Sequence, residues 1–339
     1  MTEAEPLLKY EGNPVIGHIR GSNRDPRVIW HEPTKKWVMV LYVEENDMDF
    51  FTSTDLKKWT HTSRFKCFHE CPELFELPVD GDEDNKKWVI YGAAADYLIG
   101  SFDGKEFKPE TKSLKFNYGN AFYASQAFNN IPSEDGRRIM MGWGRVPMPG
   151  MPYNQMVTFP IELSLKTTTD GIRMFAVPVE EIHNLHQKKH SWKNETINGV
   201  KSLSGIKGEL FRINAHFKVD NAESFALICR EYEIKYDAKT RQVICTGPEN
   251  DIGPGHFSNP YTAPLNSTDG NVSFEILVDR TMVEVFVNGG RYYFPMGTYL
   301  VDKEPVFKVI SRGGNTRLKY LEIVELKSIW KKMIARDDK

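Results

Sequence analysis

Cysteine is scarce here: four in 339 residues, Cys67, Cys71, Cys229 and Cys245, too few for a disulfide scaffold. Cys67 and Cys71 stand near His61 and His69, but the spacing fits no usual zinc pattern, so no metal centre is expected. Cys229 and Cys245 are placed to face each other across a hairpin or to stand as buried free thiols, and the second is expected. No apolar run reaches the roughly 18–20 residues needed to span a bilayer. An excess of one charge is missing too: 44 Lys and Arg against 46 Asp and Glu leave −2, so neither a nucleic-acid nor a membrane partner is expected. The opening residues, MTEAEPLLKYEGNPVI, hold no basic segment followed by an apolar one, so no secretory signal is read there. Sequons at Asn194, Asn266 and Asn271 bear only on a chain secreted by a eukaryote, and the compartment stays open. No Gly-rich phosphate cradle precedes a helix, and no cofactor is expected; MPGMPYNQM (148–156) reads as a Pro/Gly rim loop. Helical periodicity is confined to VEEIHNLHQKK (179–189) and the last residues, KSIWKKMIARDDK.

What fills the chain is aromatic and β-branched residues in short alternating runs, punctuated by Asn, Asp, Gly and Pro, which predicts an all-β protein. The length allows two domains, each with its own core. The first half repeats. One unit runs from RDPRVIWHEPTKKWVMVLYV through FFTSTDLKKWTHTS; the next runs from ECPELFELPVDGDEDNKKWVIYGAA through LIGSFDGKEFKP. Each has a carboxylate and a Pro, an apolar strand, a KKWV strand, a third strand, and a DLKKW-like or DGKEF-like fourth. A third unit opens at NAFYASQAF and continues with RRIMMGWGR, MVTFPIELSL and GIRMFAV. A period of about 45 residues with four short strands per unit is the mark of β-propeller blades. Residues 1–19 read as the end of a preceding blade, with KYEGNPVI as its outer strand.

In a propeller the first strand of each blade lines the central channel, so residues at equivalent strand heads point to one place. Asp25 and Glu70 are therefore expected to converge, with the Tyr123 segment beside them. From 193 to 339 the pattern changes to long alternating hairpins, FALICREYEIKYDAKTRQVICTG and VSFEILVDRTMVEVFVNGGRYYFP, which predict a β-sandwich. In the second of these Val283, Val285 and Val287 alternate with Met282, Glu284 and Phe286. Asp279 and Glu284 are expected to be solvated or salt-bridged. The expected division is an incomplete propeller over 1–178, a short helix or linker over 179–192, and the sandwich over 193–339.

RDP (24–26), EC (70–71), FYASQAF (122–128), RRIMMGW (137–143) and LVDRTMVEVF (277–286) resemble the characteristic segments of glycoside hydrolase family 32, the invertases, levanases and inulinases. The resemblance covers nearly the whole chain, with the motifs in family order. It implies a five-bladed propeller followed by a β-sandwich, and hydrolysis of β-fructosides with retention of configuration. It implies Glu70 as general acid/base, Asp25 as the holder of fructose hydroxyls and stabiliser of the transition state, and Arg24 beside it. Trp143 would form an apolar wall, and Tyr123 and Gln126 would line the pocket. A leaving oxygen must be protonated, so a carboxylic acid has to keep its proton near neutral pH. Phe68, Cys71 and Pro72 are expected to desolvate Glu70, and Arg24 to pair with Asp25.

The family's nucleophile belongs to a WMNDPNG-type segment, and these 339 residues contain none. About three blades can be built from 20–180, so an open edge is expected, covered by a second copy or a complementing chain. Three readings follow. The chain is a fructan- or sucrose-acting hydrolase that is inactive by itself, as a shortened or partial product of a family whose members are often secreted. Or it is a non-catalytic fructan-binding protein. Or Asp25 serves as general base and Glu70 as acid in an inverting mechanism, which needs the carboxyls about 6.5–9.5 Å apart.

Overall fold

The blade period is visible in the strands. The computed structural model describes residues 8–148, 153–247, 260–267, 269–297 and 306–329, and the chain divides into two compact units, Met1–Lys115 with Ala124–Asn130 and Phe116–Tyr123 with Ile131–Lys339. The fold is all-β, with sheets of the propeller-blade kind followed by a β-sandwich.

In the first unit, β1 (Arg24–His31), β2 (Lys36–Tyr42), β3 (Asp47–Ser53) and β4 (Thr60–Lys66) form one antiparallel sheet in sequence order. The same order recurs in β5 (Glu73–Val79), β6 (Asp82–Tyr91), β7 (Asp96–Phe102) and β8 (Phe107–Pro109), with β9 (Leu114–Lys115) also on β7. Val38, Val40, Met48 and Phe50 of one sheet and Leu74, Ile90, Phe102 and Phe107 of the other share a buried cluster. Burying each such side chain contributes about 1.5–3 kcal/mol, so neither sheet is the independent element.

The repeat extends to the turns. Asp55 accepts the amides of Lys57 and Lys58 at 2.9 and 2.8 Å, and Asp103 accepts those of Lys105 and Glu106, both at 2.9 Å. These amides hold both carboxyls below their ordinary value, the Lys58 amide foremost for Asp55 and the Glu106 amide for Asp103. DLKKW is therefore the turn before the fourth strand, not the strand itself. Nor is KYEGNPVI a strand. Asn13 bonds back to the Tyr10 carbonyl at 3.1 Å, and Pro14 has no N–H to give to a ladder. Ile16 and Ile19 pack on Met39, Leu41 and Phe51 instead.

β10 (Tyr123–Ala127) begins the third repeat. In the second unit β11 (Arg138–Gly144), β12 (Met156–Val157), β13 (Ile161–Thr168) and β14 (Gly171–Pro178) are antiparallel. Residues 149–152 of the expected rim loop, and 330–339 of the expected C-terminal helix, lie outside the described residues. The expected helix at 179–189 is a short 3-10 turn, Glu180–Leu185, because His186 already pairs with Leu326.

The sandwich comprises β15 (His186–Leu203), β16 (Phe211–Val219), β17 (Ser224–Cys229), β18 (Tyr232–Asp237), β19 (Gln242–Thr246), β20 (Tyr261–Pro264), β21 (Asn271–Val278), β22 (Met282–Val287), β23 (Tyr292–Gly297) and β24 (Phe307–Leu326). β24 pairs with β17 through its first half and with β16 through its second. Gly313 and Gly314 lie between the halves at φ +70 and +150, where a side chain would meet Glu223 and Asn221. Phe211, Phe217, Phe225, Phe274 and Ile323 anchor the core. Cys229 and Cys245 are buried free thiols on strands that β18 separates, so they do not face each other. β22 is buried on both faces rather than on alternate ones. Residues 116–121 run against β23, with the amides of Tyr118, Asn120 and Ala121 bonded to the Tyr293 and Pro295 carbonyls. On the face of β22 expected to be wet, Phe159 meets Glu284 while Ala121, Val146 and Met156 pack on Met282.

Candidate active site

Asp25 and Glu70 sit at the heads of β1 and the β5 segment with φ of +57 and +50, and Cys71 follows at +43. Such backbone is strained for non-glycine residues, at a cost of about 1–3 kcal/mol each. Pro26 and Pro72 enforce the break: β1 slips register between Arg24 and Arg27, freeing Asp25 from the ladder. The heads are tied to one another. The Cys71 amide donates to Asp25 Oδ2 at 3.2 Å, with the thiol 3.5 Å from the same oxygen. Ala93 donates to the carbonyls of His69 and Glu70 at 3.2 and 3.1 Å, and Ala124 to that of Ala93 at 2.9 Å.

One guanidinium joins the two carboxylates. Arg24 Nη2 donates to Glu70 Oε1 while its Nε lies 3.6 Å from Asp25 Oδ2. The bond to Glu70 is the main cause of the raised Arg24 pKa, so this cation stays charged. Arg24 was expected to serve Asp25; its tighter partner is Glu70. The surroundings of Glu70 are correspondingly polar rather than apolar, since Oε1 also lies 3.3 Å from His69 Nε2 and the side chain keeps 23% of its exposure. Burial first, and Asp25 second, push the Cys71 thiol up to about 12, which keeps it protonated toward Asp25.

Beneath this layer the strands carry a second, buried one. Arg27 Nε lies 3.3 Å from Glu73 Oε2, Arg27 Nη1 donates to the Ala127 carbonyl at 2.9 Å, and Ser125 donates to the Tyr91 hydroxyl at 3.0 Å. Gln126 is exposed between buried Ser125 and Ala127. In the second unit Tyr123 and Trp143 meet edge to face at 6.2 Å, with the Arg145 guanidinium 4.4 Å from the Tyr123 ring. Trp143 is 40% exposed, an aromatic face of the kind that packs on sugar C–H groups. Sequence reasoning missed Arg27, Glu73 and the neighbours of His69, although His69 directly precedes Glu70. Among the described residues no group of His, Cys, Asp and Glu side chains gathers as a metal site.

Glu284 is a correction. It is 5% exposed and bonded, not solvated or salt-bridged: Oε1 accepts the Tyr293 hydroxyl at 2.5 Å and Oε2 the Phe159 amide at 3.2 Å. Burial raises its carboxyl to about 7. Asp279 is exposed, as expected.

Residues 2–176 match the profile of the glycosyl hydrolases family 32 N-terminal domain, and 179–323 that of the glycosyl hydrolases family 32 C terminal. A levanase of Bacillus subtilis (strain 168) is 36% identical over 361 aligned positions, which cover 95% of this chain and 53% of the levanase. The chain thus spans about half the length of that relative. An extracellular exo-inulinase of Aspergillus ficuum is 26% identical, covering 96% of this chain and 68% of the inulinase. Among solved structures, an exo-inulinase from Aspergillus awamori superposes with a TM-score of 0.82 at 25% identity, covering 94% of this chain and 71% of that one. A fructofuranosidase from Schwanniomyces occidentalis complexed with fructosylnystose superposes at 0.83 with 22% identity, covering 94% of this chain and 73% of that one, a likeness of fold.

Proposed function

This chain belongs to glycosyl hydrolases family 32, and from that premise we propose that its site is built to bind β-fructosides, fructans or sucrose, and to supply the proton-transfer half of their hydrolysis. The observation that carries the reading is the single guanidinium that joins Asp25 and Glu70. Glu70 donates a proton to the leaving oxygen and later takes one from water. Asp25, held by Arg24 and the Cys71 amide, accepts the sugar's hydroxyls. On the second unit, Trp143 and Tyr123 offer apolar faces of the kind that pack on a sugar, and on the first, Gln126 offers a polar group. The division into a propeller-type domain to residue 178 and a sandwich from β15 onward belongs to the same reading, as does association with a second copy or complementing chain.

Retention needs a nucleophile roughly 5–5.5 Å from the acid, and no NDPNG segment occurs in these 339 residues. The isolated polypeptide therefore binds fructosides without turning them over. An inverting mechanism is disfavoured, because Arg24 contacts both carboxylates where that mechanism needs room for water. Calorimetry with levan and inulin oligomers, alongside analysis of released fructose, tests this. Binding without release is expected. Turnover by the isolated chain that Glu70→Gln abolishes would overturn the non-catalytic part; absence of binding would overturn the fructoside assignment.

A further inference from the structure

The proton donor assigned above has to exist in two forms, charged and neutral, during one catalytic cycle. A neighbour that hydrogen-bonds only one form would trap it. His69 is that neighbour: its Nε2 faces Glu70 Oε1 at 3.3 Å. Its other nitrogen, Nδ1, has two partners of opposite kind. The Tyr42 hydroxyl lies 2.9 Å away and the Glu45 carbonyl oxygen 3.1 Å away, and these two are themselves 3.2 Å apart.

The neutral ring has one N–H and one bare nitrogen. In the first arrangement the Tyr42 hydroxyl donates to bare Nδ1, and Nε2–H donates to ionised Glu70. In the second, Nδ1–H donates to the Glu45 carbonyl, the Tyr42 hydroxyl donates to that carbonyl as well, and bare Nε2 accepts the proton of neutral Glu70. Every donor has an acceptor in both arrangements. We infer that His69, held by Tyr42 and the Glu45 carbonyl, is a positioning residue whose ring tautomer follows the charge of Glu70.

Tyr42 serves two groups that meet Glu70. Its ring lies 4.6 Å from the Arg24 guanidinium carbon and meets the His69 ring edge to face at 5.1 Å. Tyr42 itself is 3% exposed, so it is a fixed post, whereas the His69 side chain is half exposed and needs one. Arg24 and Asp25 on β1 are charged neighbours of the pair; the Glu45 carboxylate is turned away to Lys66 at 2.9 Å. The family's motif residues, Asp25 and Glu70, do not require this arrangement; it comes from the His immediately before Glu70.

The inference rests on Glu70 as proton donor, but its test does not depend on turnover, so the two fail separately. Ring-nitrogen NMR shifts of His69 would be recorded on the full chain labelled in histidine, in alkaline buffer, with the signal assigned by its loss in His69→Asn. The wild-type chain is expected to show protonated Nε2 and bare Nδ1. Tyr42→Phe removes the donor to Nδ1 and leaves the carbonyl, so the ratio of tautomers moves toward Nδ1–H by roughly tenfold, the weight of one hydrogen bond. Glu70→Ala, which truncates a side chain that keeps 23% of its exposure, removes the acceptor of Nε2–H and moves the ratio the same way. A wild-type ring protonated at Nδ1, or a ratio unchanged in Glu70→Ala, overturns the proposal whether or not Tyr42→Phe folds.

Discussion

The Arg24 guanidinium stacks on the face of Tyr42 while its nitrogens reach Glu70 and Asp25. A planar, forked cation can do both; a point charge on a flexible stem cannot. Arg24→Lys is therefore expected to weaken binding of fructo-oligosaccharides about tenfold or more, read by calorimetry. Unchanged affinity would show that the guanidinium bridge has no part in holding the sugar.

Glu284 makes stability depend on pH. Its carboxyl is raised from 4.5 to about 7 by burial, so the folded chain holds that proton more tightly than the unfolded one. The contribution is complete below the unfolded value and is lost as pH rises toward the folded one, so stability falls between about pH 4.5 and about 7. The loss is roughly 3 kcal/mol. Glu284→Gln keeps an acceptor for Phe159 and a donor for Tyr293, and is expected to flatten this slope. Urea unfolding at about pH 5 and about pH 8 checks it, with the variant gaining on the wild type only at the higher pH.

Gly289 and Gly290 form one turn with different demands. Both have positive φ, +64 and +87, but a side chain at 289 meets open space, whereas at 290 it overlaps the Ala176 carbonyl. The Ala176 amide also bonds to the Gly290 carbonyl at 3.0 Å. Gly289→Ala is expected to cost about 1–2 kcal/mol and Gly290→Ala distinctly more, measured by denaturant unfolding.

The thiols are expected to react slowly in the native chain. Burial pushes Cys67, Cys71 and Cys229 up to about 12 and Cys245 well above its usual value. Since the thiolate is the nucleophile, alkylation at neutral pH is expected to be slow in the folded protein. In denaturant all four cysteines should be modified, as counted by mass spectrometry. Rapid labelling of Cys71 before unfolding would refute its placement.

The pairing of Asp25 with Glu70 was legible because a repeat carries its own geometry: equal positions in successive sheets face the same place. The partners of Glu70 were not, because Tyr42 ends a different strand and nothing in KKWVMVLY marks its hydroxyl as bound to His69. Arg24 was read with its neighbour Asp25, whereas its tighter contact is 46 residues away. Alternation in MVEVFV gave the strand correctly but the wrong environment for Glu284. Period-two patterning reports which residues share a face, and cannot report that Phe159 comes to Glu284, and Ala121 and Met156 to Met282, on the other one. The helix expected at 179–189 is cut short to a 3-10 turn at Glu180–Leu185 for the same kind of reason, since pairing with β24 outweighs a local preference.

Asp25 and Glu70 are held in backbone conformations that glycine would adopt at lower cost. The carboxylates thus sit on energetically misfit ground, and a protein-engineering screen that rewards heat resistance alone would tend to erase them first. Any campaign to harden this scaffold should score ligand capture alongside melting, or it will converge on a sturdier molecule with nothing to offer a sugar.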